Sequence, residues 1–144
     1  MWRFDYPATL TRDRKAGGYV VTFRDIPEAI TQGDDLADAR RQAEDCLEEA
    51  IAGRIRLQEP IPEPTTPRRT ERLIRLPASM AAKAALYLAL NESRLTQAEL
   101  ARRLGIGEND VRRMLDPRHV ASLPKLAGAL AVLGKRLVLG VEAA

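Results

Sequence analysis

Four prolines fall within nine residues, Glu59-Pro60-Ile61-Pro62-Glu63-Pro64-Thr65-Thr66-Pro67, near the middle of this chain. Each removes a backbone donor and fixes φ, and each biases the residue before it away from the helical region. Neither a helix nor a central strand runs easily through such a stretch. It predicts an extended, semi-rigid spacer rather than part of a core. A length of 144 residues suits one domain or two small ones. The spacer favours two, at residues 1–58 and 72–144, with 59–71 as the linker. Charge divides at the same place. Residues 1–67 carry 9 Lys/Arg and 13 Asp/Glu, a net −4, whereas residues 68–144 carry 14 and 7, a net +7. A basic half suits a phosphate-bearing partner, and the acidic half needs a different one.

The first half predicts a β-β-β-α unit. Residues 2–11 read as a strand, with Pro7 more consistent with an edge or bulge than with a central strand. Residues 14–18 are a turn signal, and the β-branched and aromatic run Tyr19-Val20-Val21-Thr22-Phe23 is a second strand. Asp25-Ile26-Pro27-Glu28 breaks that run before a short third strand over residues 29–32. Asp34 or Asp35 then caps a helix, and Asp38 suits the positive end of its dipole. Leu36, Ala39, Ala43, Leu47, Ala50 and Ile51 keep three/four spacing to about residue 55, with Arg40, Arg41, Glu44, Glu48 and Glu49 facing water.

The second half predicts a strand over residues 72–76, stopped by Pro77, and then a helix over 80–91 capped by Ser79. Lys83 is the only charge inside that helix, so burial on most sides is expected. A helix opened by Ser122-Leu123-Pro124 runs to residue 133, Gly134 ends it, and residues 136–141 read as a final strand. The fold class is therefore α+β: a small antiparallel sheet with one helix, the linker, then a helical domain with a terminal strand.

Within the helical domain, residues 95–115 predict two short helices at a steep angle. Thr96 is an N-cap, Leu100, Ala101 and Leu104 mark one face, and Gly105 sits where a left-handed conformation is needed. Ile106 is expected to plug the turn, and Val111, Met114 and Leu115 form the inner face of the second helix. At about 100° per residue, Asn109 and Arg113 then centre the opposite face, flanked by Asp110 and Arg112, with Glu108 in the first turn. Asn and Arg make bidentate bonds to adenine and guanine edges in the major groove. The expected DNA contacts are Thr96 and Gln97 with the helix amides on phosphate, Asn109 and Arg113 on bases, and Arg112 and Arg118 on the backbone. Glu108 and Asp110 suit acceptance from cytosine N4. A helical hairpin with a solvated basic face is the plainer alternative. A ribbon-helix-helix, with residues 72–76 as ribbon, is another.

The order Thr96-Gln97-x-x-Leu100-Ala101-x-x-Leu104-Gly105-Ile106-Gly107 resembles the helix-turn-helix of the lambda-repressor/Cro class. The whole chain resembles the HicB antitoxin family. Tyr6-Pro7-Ala8, Gly18 to Phe23, Asp25-Ile26-Pro27, Thr31-Gln32-Gly33-Asp34 and the acidic helix carry the first part of that resemblance. Ile74-Arg75-Leu76-Pro77, the Ala-rich helix and Leu133-Gly134-Lys135-Arg136-Leu137-Val138 carry the second. Arg24 stands where the family usually has proline and Glu28 where it has glycine, which leaves open the shape of the 25–29 turn and any partner contact there. The resemblance implies a degraded RNase H-like N-terminal domain that blocks a HicA-like toxin, a small basic ribonuclease. It also implies a C-terminal domain that represses its own operon on double-stranded operator DNA as part of a homo-oligomer. Asp25, Asp34 and Asp35 are then the carboxylates assigned to the toxin face.

Catalysis, cofactors and metals are not expected. RNase H chemistry needs convergent carboxylates holding two metals about 3.5–4 Å apart. Of Asp5, Asp13, Asp25, Asp34 and Asp35, only Asp5 and Asp25 lack a local structural role. His119 is the only histidine, in a loop expected near the DNA backbone, and Cys46 is the only cysteine, which excludes an internal disulfide. Apolar runs such as residues 126–133 fall short of the roughly 20 residues of a membrane span, and the N-terminal residues lack a signal-peptide core, so the expected location is the cytoplasm. The competing function class is a ligand-sensing helix-turn-helix repressor whose N-terminal domain binds a small molecule.

Overall fold

Alternation along β1 (Asp5–Arg12) and β2 (Tyr19–Phe23) turns Tyr6, Ala8, Val21 and Phe23 to one side, all buried. With β3 (Ile30–Gly33) and β4 (Arg72–Arg75) these strands form an antiparallel sheet in the order β3-β2-β1-β4. The computed structural model describes residues 1–144 and divides into two compact units, Met1–Ala81 and Ala82–Ala144. In the first, α1 (Leu36–Arg56) lies on the sheet through Ala39, Ala43, Leu47, Ile51 and Ile55, a stripe with one residue every four. Leu47 and Ile51 expose nothing, and each contributes roughly 1.5–3 kcal/mol by its burial. Asp35 is the cap: its carboxylate accepts the Asp38 amide at 2.8 Å, and the Asp38 carboxylate accepts the Asp34 amide at 2.8 Å.

Three expectations for this unit need correction. Pro7 lies in a central strand, opposite Leu73 of β4. Leu76 donates to the Phe4 carbonyl, so by alternation Phe4, Tyr6 and Ala8 aim their backbone groups at β4 while Pro7 aims at the β2 side. There β2 has already ended at Phe23, so the missing N–H interrupts no ladder. Residues 72–75 do not open the second domain; they complete the first sheet, with Tyr6 opposite Ile74, and the division falls after Ala81. The proline-rich segment is strapped down rather than a free spacer. Ile61 is buried, the Tyr6 hydroxyl donates to the Pro62 carbonyl at 2.7 Å, and Arg54 donates to the Pro60 carbonyl at 2.8 Å. Prolines forbid regular structure, but their carbonyls still accept.

Helix α2 (Ala78–Ser93) starts two residues earlier than expected, and the Pro77 carbonyl, not the Ser79 side chain, takes its first bond, from Ala81 at 2.9 Å. In the second unit α3 (Gln97–Leu104), α4 (Glu108–Leu115) and α5 (Leu123–Val132) enclose a core centred on Leu86, Leu100, Val111, Leu126 and Ala129, none of them exposed. The expected strand over residues 136–141 is absent: residues 135–144 are neither helix nor strand, and Val138 and Leu139 are exposed. Alternating apolar residues state a propensity, but a strand exists only on a ladder, and this unit is otherwise helical. The result is a mixed α+β protein of four strands and five helices.

Candidate functional site

Each unit carries a candidate surface, and each is built from short-range rules. In the second unit Thr96 accepts the Glu99 amide at 3.1 Å and its hydroxyl meets the Glu99 carboxylate at 3.1 Å, which fixes the start of α3. At the other end Gly105 adopts φ 68°, with Gly105 N–H on Arg102 O and Ile106 N–H on Ala101 O. These two bonds are a Schellman closure, which needs a left-handed residue at that point. Ile106 is 39% exposed, so it does not plug the turn. Leu100, Ala101, Val111, Met114 and Leu115 are the buried residues between the two helices instead.

Opposite that core, α4 presents Asn109, Asp110, Arg112 and Arg113, all exposed. They are paired along the helix: Arg112 donates to Asn109 Oδ1 at 2.8 Å, and Arg113 to Asp110 Oδ1 at 3.2 Å. Glu108 opens α4, whose N-cap Gly107 offers no side-chain bond, and Gln97 is half-buried at the first position of α3. Past the helix, Arg118 grips Asp116 through Nε and Nη2, both at 3.1 Å, and the Asp116 carboxyl is held at about 2 by those bonds. His119 lies 3.7 Å from the same carboxylate. Lys83 is 4% exposed, as its isolation on α2 suggested, and donates to Met114 O at 2.8 Å and Arg113 O at 3.3 Å.

In the first unit, Asp34 and Asp35 rim an open cleft of about 480 Å³ lined also by Arg12, Tyr19 and Leu36. Asp25 is elsewhere and turned inward, its side chain 6% exposed, accepting the Thr65 amide and hydroxyl, both at 2.9 Å. Beside it Arg24 clasps Glu71 through two bonds, 3.0 and 2.8 Å, and reaches Thr65 Oγ1 at 2.5 Å and Thr66 O at 3.3 Å. Glu28 makes the matching pair with Arg54, at 2.6 and 2.7 Å. Sequence reasoning missed this clamp, although Arg24 and Glu28 had stood out as the two unusual residues. No three His, Cys, Asp or Glu side chains converge as a metal site would require.

The clamp has a pH signature. Bonds from Arg24 hold the Glu71 carboxyl at about 2, below its ordinary 4.5. A depressed carboxyl contributes stability above its unfolded value and loses it as pH falls through the folded one. Residues 64–71 should therefore exchange amide hydrogens faster, relative to intrinsic rates, as pH drops from about 4.5 towards 2. Glu71→Gln should be loosened already at pH 6, and equal protection in the two proteins there would remove the clamp from the account.

A family model described as the HicB-like antitoxin of a bacterial toxin–antitoxin system matches residues 5–85. Antitoxin HicB of Escherichia coli K12 is 39% identical over 134 residues, covering 93% of this chain and 96% of that protein. Antitoxin HicB 1 of Photorhabdus laumondii is 36% identical, over 95% and 86% respectively. Antitoxin HicB of Pseudomonas fluorescens Pf0-1 is 35% identical, over 98% and 96%.

Proposed function

Since the chain belongs to the HicB-like antitoxin family of bacterial toxin–antitoxin systems, we propose that it neutralises a HicA-like ribonuclease toxin with its first unit and represses its own operon with its second. The sheet with α1 serves as a degraded RNase H-like platform. Residues 1–81 carry 13 Lys/Arg and 14 Asp/Glu, a net −1. Complementarity to a basic toxin therefore rests on locally exposed carboxylates rather than on net charge, and opposite local potentials speed encounter. Asp34 and Asp35 stand at the toxin face, and Asp25 contributes by holding Thr65. Co-expression tests this half: the full chain should restore growth to cells making the small basic protein encoded beside it. Failure to co-purify and to restore growth would end the reading.

The observation that carries the second half is the exposed face of α4, with Asn109, Arg112 and Arg113 opposite the buried Val111, Met114 and Leu115. In this reading α3 and α4 form a helix-turn-helix with α4 in the major groove. The intrahelical pairs of α4 are exposed and contribute only about 0.2–0.5 kcal/mol each, so base edges and phosphates can replace them. Gln97 and Thr96 meet phosphate at the start of α3, and Arg118 contacts backbone. Two copies span half-sites about one helical turn apart. Arg113→Ala should weaken operator binding by about 1–3 kcal/mol and relax preference at one base pair. Anisotropy titrations against operator variants check this, and an equal loss on random duplex would reassign Arg113 to the backbone.

A further inference from the structure

Lys83 is the one buried charged residue, and neither proposed surface uses it. Burial alone is costly for an ammonium unless hydrogen-bond partners offset the cost. The charge is therefore held here for the partners it makes, the carbonyls of Met114 and Arg113. Its neighbours Ala82, Ala84, Ala85 and Leu86 are all buried, so α2 is already held by packing.

What lysine adds is direction. α4 has eight residues, too few to be stable alone, and its N-cap glycine gives no side-chain bond. Its last carbonyls have no partner within the helix. Asp116 N–H covers Arg112 O and Arg113 O at 3.0 and 3.2 Å, and Lys83 covers Met114 O and reaches Arg113 O. The ammonium thus sits at the negative pole of α4, bonded to the turn that carries Arg112 and Arg113 outward. Burial draws the lysine's proton affinity down and Asp116 partly restores it. We infer that Lys83 is a positioning residue for the α4 recognition face: from α2, its ammonium pins the last turn of α4 and so sets the orientation in which Arg112 and Arg113 meet DNA.

The inference rests on the DNA-reading proposal, and the experiment separates the two. Full-length wild type, Lys83→Met and Lys83→Arg are titrated by anisotropy against the duplex upstream of the operon and a random duplex of equal length, at several salt concentrations. Amide exchange of α4 is followed in the same proteins. Lys83→Met should lose at least tenfold on the operator, little on random duplex, and keep its salt slope, because Lys83 touches no phosphate. Amides of α4 should exchange at least tenfold faster, with α3 unchanged. Lys83→Arg, which keeps the charge, should recover part of both. Unchanged α4 exchange in Lys83→Met overturns the inference, whatever the DNA result. So does equal loss on both duplexes with a shallower salt slope, which would make Lys83 a phosphate contact. Wild type that prefers neither duplex overturns the DNA reading alone. If Lys83→Met does not fold, Lys83→Arg decides: faster exchange confined to α4 together with weaker operator binding supports the pin, and exchange unchanged in α4, or raised in α3 and α4 alike, overturns it.

Discussion

Gly33→Ala should destabilise the first unit by about 3 kcal/mol or more, at the upper end of what overpacking costs. A Cβ at residue 33 would run into the backbone nitrogen and Cα of Ala39, inside the distance any real Cβ contact shows. The obstacle is backbone in the first turn of α1, where Asp35 and Asp38 fix the helix start, so no side chain can rotate away. Relief requires α1 to lift off β3, which would open the contact made by Ala39, Ala43 and Leu47. Urea unfolding followed through Trp2, the only tryptophan, measures the loss, and growth rescue by the variant should fail with it. A midpoint within error of wild type would mean that α1 is free to shift, contrary to the geometry.

The same residues show what a sequence can say. Gly33-Asp34-Asp35 announced a helix start, because caps act over three or four residues, and Thr96 and Gly105 bounded α3 for the same reason. The inner face of α4 followed from helical period alone, and so did that of α1 except at Leu36, which is exposed, and Ala50, which is only half-buried. What stayed hidden depends on residues far apart in the chain. Nothing local says that Ile74 pairs with Tyr6, 68 positions away, so β4 read as the start of the next domain. The strap is similar: Pro60, Pro62 and Thr65 look like a spacer until Arg54, Tyr6 and Asp25 supply donors and acceptors from other elements. In residues 136–141 the error runs the other way, since a strand pattern is local but its partner is not. Of the candidate site, the exposed face of α4 was legible by period. That Arg112 and Arg113 are paired with Asn109 and Asp110, and that Lys83 reaches the end of their helix, was not.

Leu100→Ala should have the opposite reach to Gly33→Ala. Leu100 exposes nothing and stands in α3, which packs against both α4 and α5. Truncation removes its buried surface and leaves a cavity, at a cost of about 2–5 kcal/mol. Helices of eight residues have little stability of their own, so α3 and α4 depend on this shared core to exist at all. The second unit should lose its ordered α4 face, and operator binding should fall to the level of random duplex. The first unit owes its core to Tyr6, Val21, Phe23, Leu47, Ile51 and Ile74, none of which lies in α3–α5, so growth rescue should persist. Paired measurements on one variant, operator affinity by anisotropy and rescue by co-expression, therefore ask whether neutralisation and repression are separable in this chain. Loss of both together would mean that the toxin surface needs the folded second unit, and the division of labour proposed for the two halves would have to be withdrawn.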